Sequence, residues 1–514
     1  MIGLSRRSLL KSSLILGLPF GSARAEEAWT TIPSAPFATV ETAQGKVRGG
    51  SCRGALAFKG IPYAGAVAGK GRFRPPPPPS GWSGVRDALA LGPPSLQKAK
   101  STYGQQEPAY DENCLVLNVW TPSVSDGRRR PVMFYCHGGG YVTGSAGSVA
   151  QDGSRLAAQQ DVVVVASNHR LGLLGYLHLG EPEAANAGMQ DIVMALRWVQ
   201  ANIAAFGGDP GNVTIFGESG GGGKVGTLMA MPMAKGLFHK AGIQSGAWPR
   251  RTERAEAEAT TARVLKKLGV KRGQLNTVPA EKLLAVQFEE SWGPVVDGAI
   301  LPAHPFDPAA TPLSAEIPLM IGNNRDEATF FFMEQPEVFS IDAAALSKQL
   351  AKDFGEKGAV LEAAYREAMP SASPADLLVA ILTAKAFGND TALTAARKAA
   401  QAAPVFAYRY DYPSNYRIAG SNATLRAGHA TDIGATFLNV DIPGLQGDGP
   451  GVAEASRNMA ALWAGFARDG RPSAAGVPAW PRYDGVIRPT MLIDSVCRLV
   501  DDPDGSVRSA WERA

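Results

Sequence analysis

Short runs of β-branched, aliphatic and aromatic residues recur along this chain at intervals long enough to hold a helix, and that alternation restricts the fold more than any other feature. The runs are "PVMFYC" (131–136), "DVVVVAS" (161–167), "NVTIFG" (212–217), "PLMIGN" (318–323) and "VFAYRYDY" (405–412), most of them closed by Gly or Asn. Between them, "MQDIVMALRWVQANIAAF" (189–206) places Ile192, Ala195, Leu196, Val199 and Ile203 on one helical face. Strands alternating with amphipathic helices predict an α/β fold: a large, mostly parallel central sheet flanked by helices. Ligands of such sheets gather beyond the carboxyl ends of the strands, so the residues just after each run are where chemistry is expected. From 342 to 402 the chain is Ala-rich and helical, which reads as inserted helices near the site and not as a second domain.

The start of the chain has a different character. "MIGLSRRSLLKSSLILGLPFGSARA" (1–25) joins a basic segment with Arg6 and Arg7 side by side to a weakly apolar stretch and a small-x-small end. It reads as a cleaved export signal of the twin-arginine type, leaving one domain over 26–514 in the periplasm or outside a bacterial cell. The whole chain has 51 Lys+Arg against 47 Asp+Glu; the signal holds four of those cations and no acid, so the remainder balances. A balanced chain gives no reason to expect nucleic acid as a partner, and 1–25 is no stable membrane anchor. Cys52, Cys114, Cys136 and Cys497 are too few for a disulfide scaffold, and their spacings match no zinc site.

The run at 212–217 leads into "GESGGGGKVG" (217–226), where four consecutive glycines open a predicted helix although each costs roughly 1 kcal/mol relative to alanine in a helix interior. Gly217-Glu218-Ser219-Gly220-Gly221 is a G-x-S-x-G pattern between strand and helix, the context in which a sharp turn lifts a serine Oγ above the sheet. A serine hydroxyl needs a base, and a base after the serine in chain order must be His239, His304 or His429. His239 follows too closely for an intervening acid and His304 sits in a Pro-bounded loop, which favours His429 in "RAGHATDIGATF". An acid to orient the imidazole is available as Asp326 or Glu327, after the run at 318–323. "CHGGGYVTGS" (136–145) is an HGGG-type loop whose glycines let backbone N–H groups converge on an oxyanion.

These motifs, with "FKGIPYA" (58–64), "DENCLVLNVWTP" (111–122), "NHRLGLLGYL" (168–177), "FGGDPGNVTIFGESGG" (206–221), "GPVVDG" (293–298), "NRDEATFF" (324–331) and "GHATDI" (428–433), resemble the type B carboxylesterase family of carboxylesterases, cholinesterases and para-nitrobenzyl esterases. The resemblance implies an α/β-hydrolase fold and hydrolysis of a small-molecule carboxylic ester through an acyl-enzyme, with no metal or other cofactor. It implies Ser219 as nucleophile, Glu327 rather than Asp326 as acid, His429 as base, and Gly139, Gly140 and Gly220 as oxyanion donors. It further implies that Ser245 bonds near Glu327 and that Arg72–Glu112 and Arg170–Asp191 are buried pairs. A catalytically silent binding module would be expected to have lost a triad residue, and none is lost; an acyltransferase using the same acyl-enzyme is the other alternative.

Departures from the family pattern carry their own expectations. Ala328 and Ala430 stand where glycine is usual, so their backbone angles are expected to suit a residue with a Cβ. Ser95 stands where a partner for Cys114 is common, which removes that bridge, and the loop 95–114 has Tyr103 and Tyr110 in place of a choline-binding tryptophan. Tyr141, Trp248, Trp292, Phe330 and Phe331 are expected on the pocket wall, Glu290 is a further candidate, and Arg250, Arg251 and Arg254 are expected to coat an exposed helix. Two functional expectations follow from the residue types. kcat/KM should fall on the acid side along one ionisation between roughly pH 5 and 7. Alanine should be tolerated at Gly220, Gly222 and Gly223 but a large side chain refused at Gly221.

Overall fold

The computed structural model describes residues 32–97, 109–442 and 444–513; the expected signal at 1–25 and Tyr103 lie outside them. Its strands in chain order are β1 (Ser34–Thr42), β2 (Gly45–Cys52), β3 (Ala55–Pro62), β4 (Val85–Asp87), β5 (Val116–Thr121), β6 (Arg130–Cys136), β7 (Val163–Ser167), β8 (Gly208–Glu218), β9 (Lys240–Gln244), β10 (Thr252–Glu253), β11 (Val295–Val296), β12 (Leu319–Asn324), β13 (Val405–Tyr410), β14 (Ser414–Arg417), β15 (Thr424–Arg426), β16 (Pro489–Ile493) and β17 (Arg498–Asp501). One large sheet runs β1-β2-β3-β5-β7-β6-β8-β9-β12-β13-β16-β17, with β4 added beside β2. Within this sheet the stretch from β7 through β16 is parallel throughout, and antiparallel pairing is confined to the β1–β2–β3–β5–β7 flank and the β16–β17 edge.

The five runs singled out in the sequence are β6, β7, β8, β12 and β13. Their near-continuous apolar character has a direct cause, since successive side chains point to opposite faces and both faces are covered. Val132, Phe134, Val163, Val165, Val213, Ile215, Leu319 and Ile321 enter one core, while Met133, Tyr135, Val164, Phe216, Met320, Phe406 and Tyr408 enter the other. Each such fully buried aliphatic side chain contributes about 1.5–3 kcal/mol. The helix expected over 189–206 is Ala187–Asn202 followed by a 3-10 turn, Ile203–Phe206, closed by Gly207 at φ +77°. Ile192, Ala195, Leu196 and Val199 are all buried on it.

The Ala-rich stretch forms helices Ala343–Phe354, Lys357–Ala368, Pro374–Thr383 and Asn389–Ala399, the last two joined by a π-helical turn, Ala384–Gly388. They enclose a core of their own that includes Phe331 and Phe387. No described helix is long and apolar enough to cross a membrane.

The two ion pairs expected beside the sheet both form, Arg170–Asp191 fully buried and Arg72–Glu112 partly so. Arg72 Nε donates to Glu112 at 2.5 Å, and Arg170 donates to both oxygens of Asp191 at 2.8 and 2.6 Å. All four cysteines are buried, and none of them forms a disulfide. Ser95 hydrogen-bonds the Cys114 thiol, whose pKa burial pushes up to about 12. Reductant is therefore expected to leave the melting temperature unchanged, and a mass spectrum showing any bridge to Cys114 would contradict this.

Candidate active site

Strand β8 ends at Glu218 and helix Gly220–Leu228 starts two residues later, so Ser219 must reverse the chain alone. It does so at φ +55°, ψ −122°, a conformation that costs a residue with a Cβ on the order of 1–3 kcal/mol and persists only where its surroundings impose it. Those surroundings are the Ser219 N–H on the Gln244 carbonyl of β9 at 2.8 Å and the Ser219 carbonyl accepting from Gly223 at 3.0 Å.

The four glycines after Ser219 are explained by what approaches them. A Cβ on Gly220 would stand 2.0 Å from the Gly140 carbonyl oxygen, and one on Gly221 2.0 Å from that of Cys136. On Gly222 it would meet the Gln244 carbonyl oxygen at 3.0 Å, and on Gly223 the Tyr141 hydroxyl and the Trp248 ring. Close packing was expected at Gly221 only; tolerance of alanine at Gly220, Gly222 and Gly223 is corrected, because three further segments crowd the same helical turn. At Gly220 in particular, alanine requires the Gly140 peptide to move.

The loop after β6 lies against this turn. Gly139 and Gly140 have φ of +82° and +63°, and among the described residues the N–H groups of Gly139, Gly140 and Gly220 take no protein acceptor. This left-handed backbone, which glycine adopts without a Cβ penalty, leaves the N–H groups outside strand and helix bonding and available to an anion.

Glu327 follows β12 by three residues and is fully buried. Its Oε2 lies 2.5 Å from His429 Nδ1, while its Oε1 accepts from Ser245 Oγ at 2.5 Å and from the Asn324 N–H at 2.7 Å. Asp326 turns away: it pairs with Arg325 at 3.0 Å and with Arg426, and it accepts from the Ala427 N–H. Of the two acids left open by residue types alone, the structure brings Glu327 to His429. His239 instead accepts from the Val213 N–H, and His304 pairs with Glu253 at 2.9 Å.

His429 Nε2, the other ring nitrogen, lies 3.2 Å from Glu218 Oε1. Burial alone would lower the pKa of His429, but the Glu218 and Glu327 carboxylates outweigh it and hold the imidazole above its ordinary range. Burial pushes Glu218 up, with His429 opposing and Asp432 and Glu327 adding to the rise. Burial and Glu327 also raise Asp432, to about 6. The sequence drew no attention to Glu218 or Asp432; Glu218 occupies the unspecified position of G-x-S-x-G, and only its place beside the serine could have flagged it. Ala430, next to His429, sits at φ +66°, so the expectation that its angles suit a Cβ is corrected: the turn keeps the left-handed geometry at a cost of about 1–2 kcal/mol.

A pocket of about 320 Å³ contains Ser219 and is walled by Tyr141, Trp248, Trp292, Phe331 and Phe387 among others. Phe330 is not on that wall; it packs edge-on against His429 at 5.8 Å. Phe387, carried by the π-helical turn, lies 4.9 Å from the His429 ring and was not anticipated. Glu290 belongs to an ion cluster with Arg263 and Lys267 and is not among the residues that line the pocket. Arg251 was expected on an exposed helix face, but it is buried in the pocket wall, where it donates to the carbonyls of Gly223 and Trp248 and to Thr227.

The chain is similar to known proteins over most of its length. The model of the Carboxylesterase family matches residues 36–501. The para-nitrobenzyl esterase of Bacillus subtilis (strain 168) is 37% identical over 500 residues, covering 91% of this chain and 97% of that protein. The liver carboxylesterase of Sus scrofa is 32% identical over 525 residues, with 91% and 92% covered. A crystal structure of a Geobacillus stearothermophilus carboxylesterase superposes with a TM-score of 0.80 at 38% identity, covering 92% of this chain and 99% of that one.

Proposed function

The chain belongs to the carboxylesterase family and is a carboxylic ester hydrolase; from that premise we propose that Ser219, His429 and Glu327 form its catalytic triad and that the N–H groups of Gly139, Gly140 and Gly220 form its oxyanion hole. The observation that carries this reading is the 2.5 Å contact between Glu327 and His429 Nδ1, taken with a serine held in a strained turn at the wall of an aromatic pocket. Glu327 fixes the proton on Nδ1, so that Nε2, which faces Glu218 Oε1 at 3.2 Å in the resting site, is the nitrogen that takes the Ser219 hydroxyl proton as Oγ attacks the ester carbonyl. The carbonyl oxygen becomes an oxyanion facing the three unoccupied N–H groups. His429 then returns its proton to the departing alcohol, and a water activated by the same nitrogen releases the acid from Ser219. The aromatic walls favour an ester with an apolar or aromatic group of modest size. Export through a twin-arginine signal, with action outside the cytoplasm, remains part of the proposal.

An organophosphonate should label the protein once, at Ser219, and abolish hydrolysis of short nitrophenyl esters. Peptide mapping that finds the label on another residue would overturn the assignment.

The pH profile follows from the charges around His429. Since the base acts neutral, and Glu218 and Glu327 both favour its protonated form, the acid limb of kcat/KM is expected above the pH 5–7 window that histidine alone would give. Glu218→Gln removes one of those negative charges and lowers the ring's proton affinity. The limb should therefore move to lower pH, with activity extending further into acid; a limb that stays in place would remove Glu218 from the electrostatics of His429.

A further inference from the structure

The triad scheme makes no use of Lys224, although it lies on the same helix as Gly220, five residues after Ser219. Its side chain is fully buried, and among the described residues no carboxylate pairs with it. Nζ donates to the His137 carbonyl at 2.8 Å and stands 5.6 Å from the centre of the Tyr141 ring. His137 and Tyr141 are the two ends of the segment whose middle is Gly138–Gly140. One side chain thus grips both ends of the oxyanion loop from the helix that carries the nucleophile.

The other titratable groups around it offer no counter-charge. His137 stacks on His169 with ring centres 4.5 Å apart, and burial together with the Lys224 charge pushes both imidazoles well below their ordinary range. Burial pushes the Cys136 thiol up to about 12 and raises Tyr141 as well, so both stay neutral. Burial also lowers Lys224 itself, to about 7. An ammonium removed from water without a partner costs several kcal/mol, so a chain that merely needed to fill this space would be more stable with an apolar side chain. The negative charge the reaction creates in this neighbourhood is the oxyanion.

We propose that Lys224 is a positioning residue for the oxyanion hole: it clamps Gly138–Gly140 between its hydrogen bond to His137 and its contact with Tyr141, and places behind the donors a positive charge that the tetrahedral oxyanion balances. The inference rests on the Ser219 and oxyanion-hole reading above. A cation there strengthens interactions that exist only in the transition state, so it should act on kcat and not on substrate binding.

The test is Lys224→Met, which keeps an unbranched side chain of similar length without charge or donor, and Lys224→Gln, which keeps a donor without charge. kcat, KM, melting temperature and inhibition by a trifluoromethyl ketone, which forms a tetrahedral adduct on serine, are measured for each. Lys224→Met should lower kcat about ten- to hundredfold and weaken the ketone by a similar factor, with KM within twofold and a melting temperature that holds or rises. Unchanged kcat and ketone affinity in the folded variant would overturn the proposal. So would a fall in melting temperature that leaves both constants as they were, the signature of a purely structural lysine. Should Lys224→Met fail to fold, Lys224→Gln is read by the same criteria. Organophosphonate labelling of the wild type separates the two layers: absence of label at Ser219 removes the underlying reading, whereas labelled enzyme with an indifferent Lys224 removes this inference alone.

Discussion

Ser219→Ala is expected to lower kcat for a short nitrophenyl ester on the order of a millionfold, to the level that binding and the oxyanion donors sustain without a nucleophile. The protein should remain folded. Alanine retains the Cβ, so the turn at φ +55°, ψ −122° is no more strained than in the wild type, and the backbone bonds of residue 219 to Gln244 and Gly223 are untouched. Ser219→Gly provides the complementary control: it should be equally inactive but more stable by about 1 kcal/mol or more, because glycine occupies that conformation without the Cβ penalty. Thermal melts beside single-turnover kinetics would read both. Turnover in Ser219→Ala within a hundredfold of wild type would mean that the ester is cleaved elsewhere.

How much of this was legible in the sequence differs by element. The parallel strands were readable because both of their faces are buried, which turns β6, β7, β8, β12 and β13 into uninterrupted apolar runs. The antiparallel flank was not readable: β2 is "GKVRGGSC", where three glycines and two cations mask the alternation, and β1 is largely exposed. Strand β9, "KAGIQ", is too short and too mixed to stand out although it is buried along its whole length. Ser219, Glu327, His429 and the HGGG loop could be found because each sits just after a strand in a recognisable context. Glu218, Lys224 and Phe387 could not, since their importance lies in which neighbours face them across the fold, a relation no local pattern records. Arg251 shows the same limit from the other side: a cluster of arginines reads as surface, yet this one is held inside by two acceptors on the helix after Ser219, Gly223 and Thr227, and by the Trp248 carbonyl of its own loop.

Glu327→Gln is expected to cost about ten-thousandfold in kcat, and Asp326→Asn no more than a few-fold, although the two acids are adjacent. The asymmetry follows from the donors around Glu327. Its Oε1 receives the Asn324 backbone N–H, a donor fixed by strand β12 that cannot be turned round, as well as the Ser245 hydroxyl. In Glu327→Gln the amide oxygen must take that position, or two N–H groups would face each other in a buried site. The amide nitrogen is then driven to the His429 side, where it donates to Nδ1. A ring that accepts at Nδ1 carries its proton on Nε2, the nitrogen that has to receive the Ser219 proton, so the base is present in shape but blocked in chemistry. Asp326 touches no atom of that circuit. Its partners are Arg325 and Arg426, both partly exposed, and losing a pair of that kind is worth about 1 kcal/mol or less. Circular dichroism should match the wild type in both variants. A greater loss in Asp326→Asn, or activity within tenfold of wild type in folded Glu327→Gln, would refute the choice of acid.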